Sequence, residues 1–347
     1  MTSLNESLAR EVVDAPTEPA ALITTDAAVI AASNESLGVL TEAMSPRKMA
    51  FKRFMNHRAA VISSIGLIII VLFVVLAPIT ARYGVNEAIF KSEGQNLNSN
   101  LAPSKQAWFG TDANGRDVYS RIIYGAQVSL MIGICTAALS VALGAIVGGI
   151  AGYFGGRLDD LLMRVTDIFL ALPLLVTLVI IRGVLKNVSW AETVMGEASS
   201  IRFLVLMLSV VGWMAVARLV RGQVKQLKER EFIEASRALG ATNKRIMIRH
   251  LLPNSIGTIM VALTFAVVGA IAAEATLSFF GYGPDAGSGE TSLGLLIRDS
   301  KKAVPPNYWW LVVYPCVFFI LLSLCINFIG DGLRDAVDPK MQQEVKG

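Results

Sequence analysis

Residues 59–80 read AAVISSIGLIIIVLFVVLAPIT, a run with no charged position, and its reading decides the class of fold. A helix rises about 1.5 Å per residue, so about twenty such residues cross the ~30 Å hydrocarbon core of a bilayer. Working outward from this first span, further apolar runs occupy 128–151, 161–181, 203–217, 255–280 and 308–329. The third is interrupted by Asp167 and Pro173, and the fifth contains Glu274. The sixth opens with Tyr308, Trp309 and Trp310, the aromatic belt expected where a helix meets the headgroups. The expected fold is all-α, a polytopic membrane protein with six transmembrane helices.

Composition agrees. Only 17% of the residues are charged, 54% are hydrophobic and the mean hydropathy is +0.56, whereas soluble domains carry about a quarter charged residues. A net charge of +4 and a pI near 9.0 raise nucleic-acid binding, but the basic residues flank the apolar runs, which is the membrane pattern. Arg47, Lys48, Lys52, Arg53 and Arg58 precede span one, and a second basic cluster from Arg218 to Arg249 lies between spans four and five. Four crossings separate the two, so both fall on one side, and the positive-inside rule makes that side the cytoplasm together with both termini.

The chain then divides into a disordered cytoplasmic tail over 1–45, a basic segment with span one and an external loop over 46–127, a five-helix core over 128–330, and a cytoplasmic tail over 331–347. The tail 1–45 lacks the basic start and apolar centre of a signal peptide. In the external loop, Asp112-Ala113-Asn114-Gly115 signals a turn, and an interfacial helix is expected from Asp117 towards Ala126. Cys135, Cys316 and Cys325 sit inside apolar runs without paired spacing, and the two histidines, His57 and His250, sit at helix ends. Neither a disulfide framework nor a metal centre is indicated.

Ser140, Gly144, Gly148, Gly152 and Gly156 recur every four residues, placing small side chains on one helical face so that another backbone can approach. We read them as close packing within one subunit in preference to a surface on which a partner slides. The basic segment 218–253 is long for a loop and carries helical pattern. In Glu229-Arg-Glu-Phe-Ile-Glu-Ala-Ser-Arg-Ala-Leu-Gly240, Phe232, Ser236 and Leu239 share one face with Ile233 beside it, and Gly240 stands where a helix ends. A second amphipathic piece over 243–252 ends at Pro253-Asn254. Composition leaves two readings open: a corner that meets a partner, or helices lying on the headgroups.

Glu234-Ala235-Ser236, then Gly240, then Leu252-Pro253 resembles the EAA loop of bacterial ABC-importer permeases, with Ser236 in place of the second Ala and His250 in place of an Ile. Phe109-Gly-Thr-Asp-Ala-Asn-Gly-Arg-Asp117, Tyr124-Gly-Ala-Gln-Val-Ser-Leu130, Leu277-Ser-Phe-Phe-Gly281, Gly330-Asp-Gly-Leu-Arg-Asp-Ala-Val-Asp-Pro339 and Arg53-Phe-Met-Asn-His-Arg58 resemble the dipeptide/oligopeptide permeases of the DppC/OppC type. The resemblance implies a type I ABC importer permease fold, whose EAA loop forms a coupling helix docking in a groove of an ATPase. It implies that Glu234 meets a basic group there, that Ala235 and Ser236 permit close approach, and that Gly240 makes the corner. It further implies a second homologous permease, one or two ATPase chains, and an extracytoplasmic peptide-binding protein. The chain has no Gly-Lys dipeptide, hence no phosphate loop, so ATP with its Mg2+ is expected on separate subunits and this chain is no enzyme and binds no cofactor.

Glu274 and Asp167 are functional candidates because an unpaired carboxylate in a span is costly. We take them as structural, paired or near pore water, with Asp167, close to the cytoplasmic end, meeting Arg164 or solvent. A secondary transporter with Glu274 as proton carrier would need no ATPase, and a membrane-embedded enzyme would need a motif such as GxSxG or HExxH, which is absent. The loop 281–307, with Leu293-Gly-Leu-Leu-Ile297, reads either as a pore-facing helix that meets the binding protein or as an interfacial lid. Cargo stays open among dipeptides, oligopeptides, nickel chelates and other small solutes.

Overall fold

The computed structural model describes residues 46–89, 99–189, 193–194, 200–284, 290–301 and 306–337. The chain divides into two units, Met1–Met49 and Ala50–Gly347. The expected tail over 1–45 and residues 338–347 lie outside the described residues.

Every regular element described is helical. In chain order they are α1 (Pro46–Asn56), α2 (Arg58–Val75), α3 (Ala77–Thr80), α4 (Val118–Phe154), α5 (Gly156–Ala171), α6 (Leu174–Leu185), α7 (Ile201–Lys228), α8 (Glu231–Ala238), α9 (Asn243–Ile246), α10 (Leu252–Phe279), α11 (Leu293–Ser300) and α12 (Trp310–Val337). Among the described residues, five helices are long and apolar enough to cross a bilayer, and six spans result if the bent pair α5–α6 counts as one. The bend is 101°. The break between them is local in origin: Pro173 disfavours helical backbone at the residue before it, and Leu172 is accordingly extended at ψ 140°.

The interfacial helix expected over 117–126 does not stand alone. It is the first part of α4, which runs unbroken for 37 residues. Asp117 caps it by accepting from the Ser120 amide at 2.9 Å. Val118, Arg121, Ile122 and Ala126 are buried, so this stretch packs inside the protein and does not lie on headgroups. The predicted turn forms: Asp112 accepts from the amides of Asn114 and Arg116, both at 2.9 Å, and Gly115 takes φ +70°. The aromatic belt is only partly as expected. Trp309 is exposed, but Trp310 is buried over Gly110, where a Cβ would stand 2.7 Å from its indole nitrogen.

Three apolar clusters hold the bundle. Ile70, Ile122, Ile271, Leu293 and Trp310 join α2, α4, α10, α11 and α12. Ile132, Leu178, Phe203, Leu204 and Met207 join α4, α6 and α7. Val141, Tyr153, Val216, Val220, Ile233, Ile246 and Leu251 join the C-terminal half of α4 to α7 and to the corner between α7 and α10. Ile62, Ile65, Ile69 and Leu72 of α2 remain exposed, which costs nothing where the surroundings are lipid tails.

Candidate functional site

The corner between α7 and α10 is built by its caps. α7 continues to Lys228, so the first eleven positions of the segment 218–253 extend span four. After Arg230 the chain turns into α8. The Gly240 amide then donates to the Arg237 carbonyl at 2.9 Å and the Ala241 amide to the Ser236 carbonyl at 3.0 Å. That pair of bonds is a Schellman ending, and Gly240 takes the φ of +79° it requires. Thr242 caps α9, accepting from the Arg245 amide at 3.4 Å.

The second amphipathic piece does not end at Pro253. α9 passes through a π-helical turn, Met247–Leu251, straight into α10. Proline has no amide hydrogen and crowds the carbonyl four residues back, and a widened turn makes room for it. Asn254 Nδ2 donates to the His250 carbonyl at 2.6 Å and Ser255 Oγ to the Leu251 carbonyl at 2.9 Å, supplementing the backbone bonds at the break.

α8 is fixed by one side chain and presents the rest. Ile233 is fully buried against Val220, Val224, Ile246 and Leu251. Phe232, Glu234, Ala235 and Leu239 are exposed, Leu239 to 89%. Ser236 is half-buried and returns its hydroxyl to the Phe232 carbonyl at 2.8 Å. Phe232 and Leu239 therefore form an apolar outer face, separate from the Ile233 anchor. Glu234 borders a polar recess of about 350 Å³ shared with Lys225, Lys228, Glu229 and Arg237.

Two anchors of this corner escaped the sequence reading. Tyr153, at the end of α4, donates its hydroxyl to Asn243 at 2.7 Å, accepts Lys228 Nζ on its carbonyl at 2.7 Å, and lies with its ring 5.7 Å from Lys228 and 5.9 Å from Arg237. Asp159 of α5 is buried and pairs with Arg221 and with Lys225 at 2.7 Å. These contacts tie α4, α5, α7 and α9 together where α8 emerges. The only local signal was an aromatic residue and an acid beside the glycine ridge.

The ridge itself packs on α7. A Cβ at Gly144 would stand 2.7 Å from the Trp213 carbonyl oxygen, at Gly148 2.3 Å from that of Ala217, and at Gly152 2.8 Å from that of Arg221. Gly156 does not continue it. It follows the α4 cap at φ +56° with open space around it. An apolar cleft of about 590 Å³ opens between α4, α5, α6, α7 and α10, bordered by Thr136, Leu170, Leu208, Val216, Phe265 and Ala270.

The two intramembrane acids belong to separate networks. Asp167 pairs with Arg218 of α7, not with Arg164, and both partners are more than half exposed. Glu274 is fully buried and accepts from Ser129 Oγ at 2.9 Å and Ser278 Oγ at 2.6 Å. The patch over 293–297 is the start of α11, with Leu293 and Leu295 fully buried, so it packs into the bundle.

The described residues thus form a set of helices able to cross a membrane, with an exposed helical corner between the fourth and fifth of the six spans. Residues 118–343 match the family described as binding-protein-dependent transport system inner membrane component, and residues 45–103 match the N-terminal transmembrane domain of oligopeptide transport permease C. The chain belongs to the binding-protein-dependent transport system inner membrane component family. It is 36% identical to the oligopeptide transport system permease protein OppC of Bacillus subtilis over 94% of this chain and 97% of that one. It is 34% identical to the dipeptide transport system permease protein DppC of the same organism over 90% and 91%, and 36% identical to OppC of Haemophilus influenzae over 84% and 88%. Among solved structures, a chain of the inward-facing MetNI methionine ABC transporter is similar in fold, with a TM-score of 0.51 and 21% identity over 62% of this chain and 96% of that chain. The importer-permease fold expected from the resemblance is the fold observed.

Proposed function

We propose that this chain forms half of the pore of an ATP-driven importer of dipeptides or oligopeptides. It pairs with a second, homologous permease, takes its energy from separate ATPase chains that bind ATP and Mg2+, and receives cargo from an extracytoplasmic binding protein. The names of the relatives that match it along nearly its whole length support the peptide cargo. Both termini and the corner then face the cytoplasm, as the basic flanks indicate.

The observation that carries the coupling role is the presentation of α8. Ile233 packs α8 onto α4 and α7 and Tyr153 ties the adjoining α9 to α4, while Phe232, Ala235 and Leu239 are exposed and Glu234 borders the polar recess. A helix held on one face and apolar on the other transmits displacement from whatever seats on it. Closure of the ATPase pair would push α8, and α9 with the π turn would pass that push into α10 without an intervening loop.

Leu239→Asp tests this reading. Leu239 makes no buried contact, so the substitution leaves the thermal stability of the isolated chain within about 0.5 kcal/mol. It nevertheless abolishes copurification of the ATPase subunit and ATP-dependent peptide uptake. A Leu239→Asp transporter that retains its ATPase and full uptake refutes the assignment of α8 as the coupling helix.

A further inference from the structure

Beside the N-terminus of α11, Ser129, Glu274, Ser278 and Ser292 are each 0% exposed. They form two hydrogen-bonded relays. In the first, the Leu293 amide donates to Ser129 Oγ at 3.1 Å, and Ser129 Oγ donates to Glu274 at 2.9 Å. In the second, the Leu295 amide donates to Ser292 Oγ at 3.1 Å, Ser292 Oγ lies 3.4 Å from Ser278 Oγ, and Ser278 Oγ donates to Glu274 at 2.6 Å. Ser129 and Ser278 each give their single hydroxyl hydrogen to Glu274, so one carboxyl terminates both relays.

The arrangement is more than a cap. Leu293 and Leu295 are the first and third residues of α11, whose orphan amides and positive dipole end face the relays. An acceptor-rich group there compensates them in a fully buried place, where an unmet donor is costly. The backbone seat is equally tight: a Cβ on Gly294 would stand 2.5 Å from Ala275 Cα, and one on Gly125 3.1 Å from the Ser292 carbonyl carbon. The other end of α11 is held too, because Asp299 lies 3.7 Å from Arg121, which binds Asp112 at 2.6 Å. Ala273, next to Glu274, borders the apolar cleft.

We propose that Glu274 is a positioning residue for transport: it seats α11 across α4 and α10, and release of that hold accompanies opening of the end of the bundle away from the corner. The proposal rests on the permease reading above. A pore that alternates between two states is biased by any contact made in only one of them. Without the hold, the state that drives ATP hydrolysis no longer waits for the cargo-loaded binding protein.

Two measurements on the full chain, assembled with its ATPase and partner permease in lipid nanodiscs, test it. Hydrogen exchange across residues 293–300 is expected to accelerate about tenfold or more in Glu274→Ala and less in Glu274→Gln, which keeps one acceptor and so one relay. Exchange across residues 231–241 stays unchanged. ATP hydrolysis without binding protein is expected to rise about threefold or more with unaltered KM for ATP, while stimulation by loaded binding protein falls by a similar factor. Glu274→Gln decides both arms where Glu274→Ala fails to assemble. Wild-type exchange in α11 of these variants overturns the proposal, and so does a loosened α11 with wild-type basal and stimulated hydrolysis. A wild-type complex that hydrolyses no ATP sinks the permease reading instead, and exchange alone then decides whether Glu274 holds α11.

Discussion

Gly148→Ala should break the tightest approach of a glycine to backbone atoms among the described residues. The added Cβ would lie 2.3 Å from the Ala217 carbonyl oxygen and 3.0 Å from Ala217 Cα, against 3.4 Å or more in ordinary contact. Both atoms are backbone, so no rotamer change relieves the clash, and α4 and α7 must separate by about 1 Å along their shared face. Overpacking of this kind costs about 1–3 kcal/mol, while replacing a helical glycine by alanine returns about 1 kcal/mol. Gly149 is the internal control. It is the next residue of the same helix with nothing within 4 Å of its would-be Cβ, so Gly149→Ala should be neutral or stabilising by up to about 1 kcal/mol. Thermal unfolding of the detergent-solubilised chain, followed by loss of the monodisperse peak on heating, should rank Gly149→Ala at or above wild type and Gly148→Ala below it. Equal midpoints for the two variants would refute the reading of the 144–148–152 face as an α4–α7 contact.

Two further outcomes follow from the site. Tyr153→Phe removes only the hydroxyl bond to Asn243, so stability should fall by about 0.5–1.5 kcal/mol and exchange at residues 243–246 should rise, with the distant α11 amides unaffected. Burial raises the pKa of the Asp117 carboxyl, with the Ser120 hydrogen bonds and Arg82 opposing the shift. A raised folded-state pKa means that the stability Asp117 contributes is complete below its ordinary value of 3.8 and is lost as pH climbs through the raised one. Asp117→Asn keeps a neutral cap on α4 at every pH. Its unfolding midpoint should therefore gain on wild type as pH rises from 4 to 7, and a constant gap between the two curves would contradict the shift.

What was legible in the sequence is what depends on local composition. The uncharged runs gave the spans, because one long apolar helix needs no knowledge of its neighbours to prefer lipid. Gly240 was legible for the same reason, since a glycine after an amphipathic helix supplies the positive φ that a Schellman ending needs. Pro173 marked the break in span three but not its 101° angle, which depends on what α5 and α6 pack against. The misreadings share one cause. Residues 117–126 look interfacial by polarity, yet Arg121 is buried because Asp112 and Asp299 meet it from distant segments. Trp310 looks like a belt residue, yet Gly110, two hundred positions earlier in the chain, leaves a hollow for its ring. Pro253 looks like a stop, yet a π turn absorbs it. In each case a non-local contact or a backbone adjustment outweighs the local signal.

The same contrast bears on how force would cross this chain. α8 is attached to the bundle through Ile233 and the Tyr153 cluster, both at the C-terminal end of α4, whereas Glu274 and its serines hold α11 beside the N-terminal part of the same helix. α4 is unbroken for 37 residues, a length of about 55 Å. Its contact with α7 has almost no slack, since Gly144, Gly148 and Gly152 leave no room for a methyl group. Such a pair resists bending and sliding more than α5–α6, which is already broken at Pro173, or α10, whose first turn follows a π segment. A push on α8 should therefore rotate α4 and α7 as one body, with the compliant elements taking up the change. α11, bonded to both α4 through Ser129 and α10 through Glu274, would then feel any relative motion of the rigid and compliant parts at its first amides.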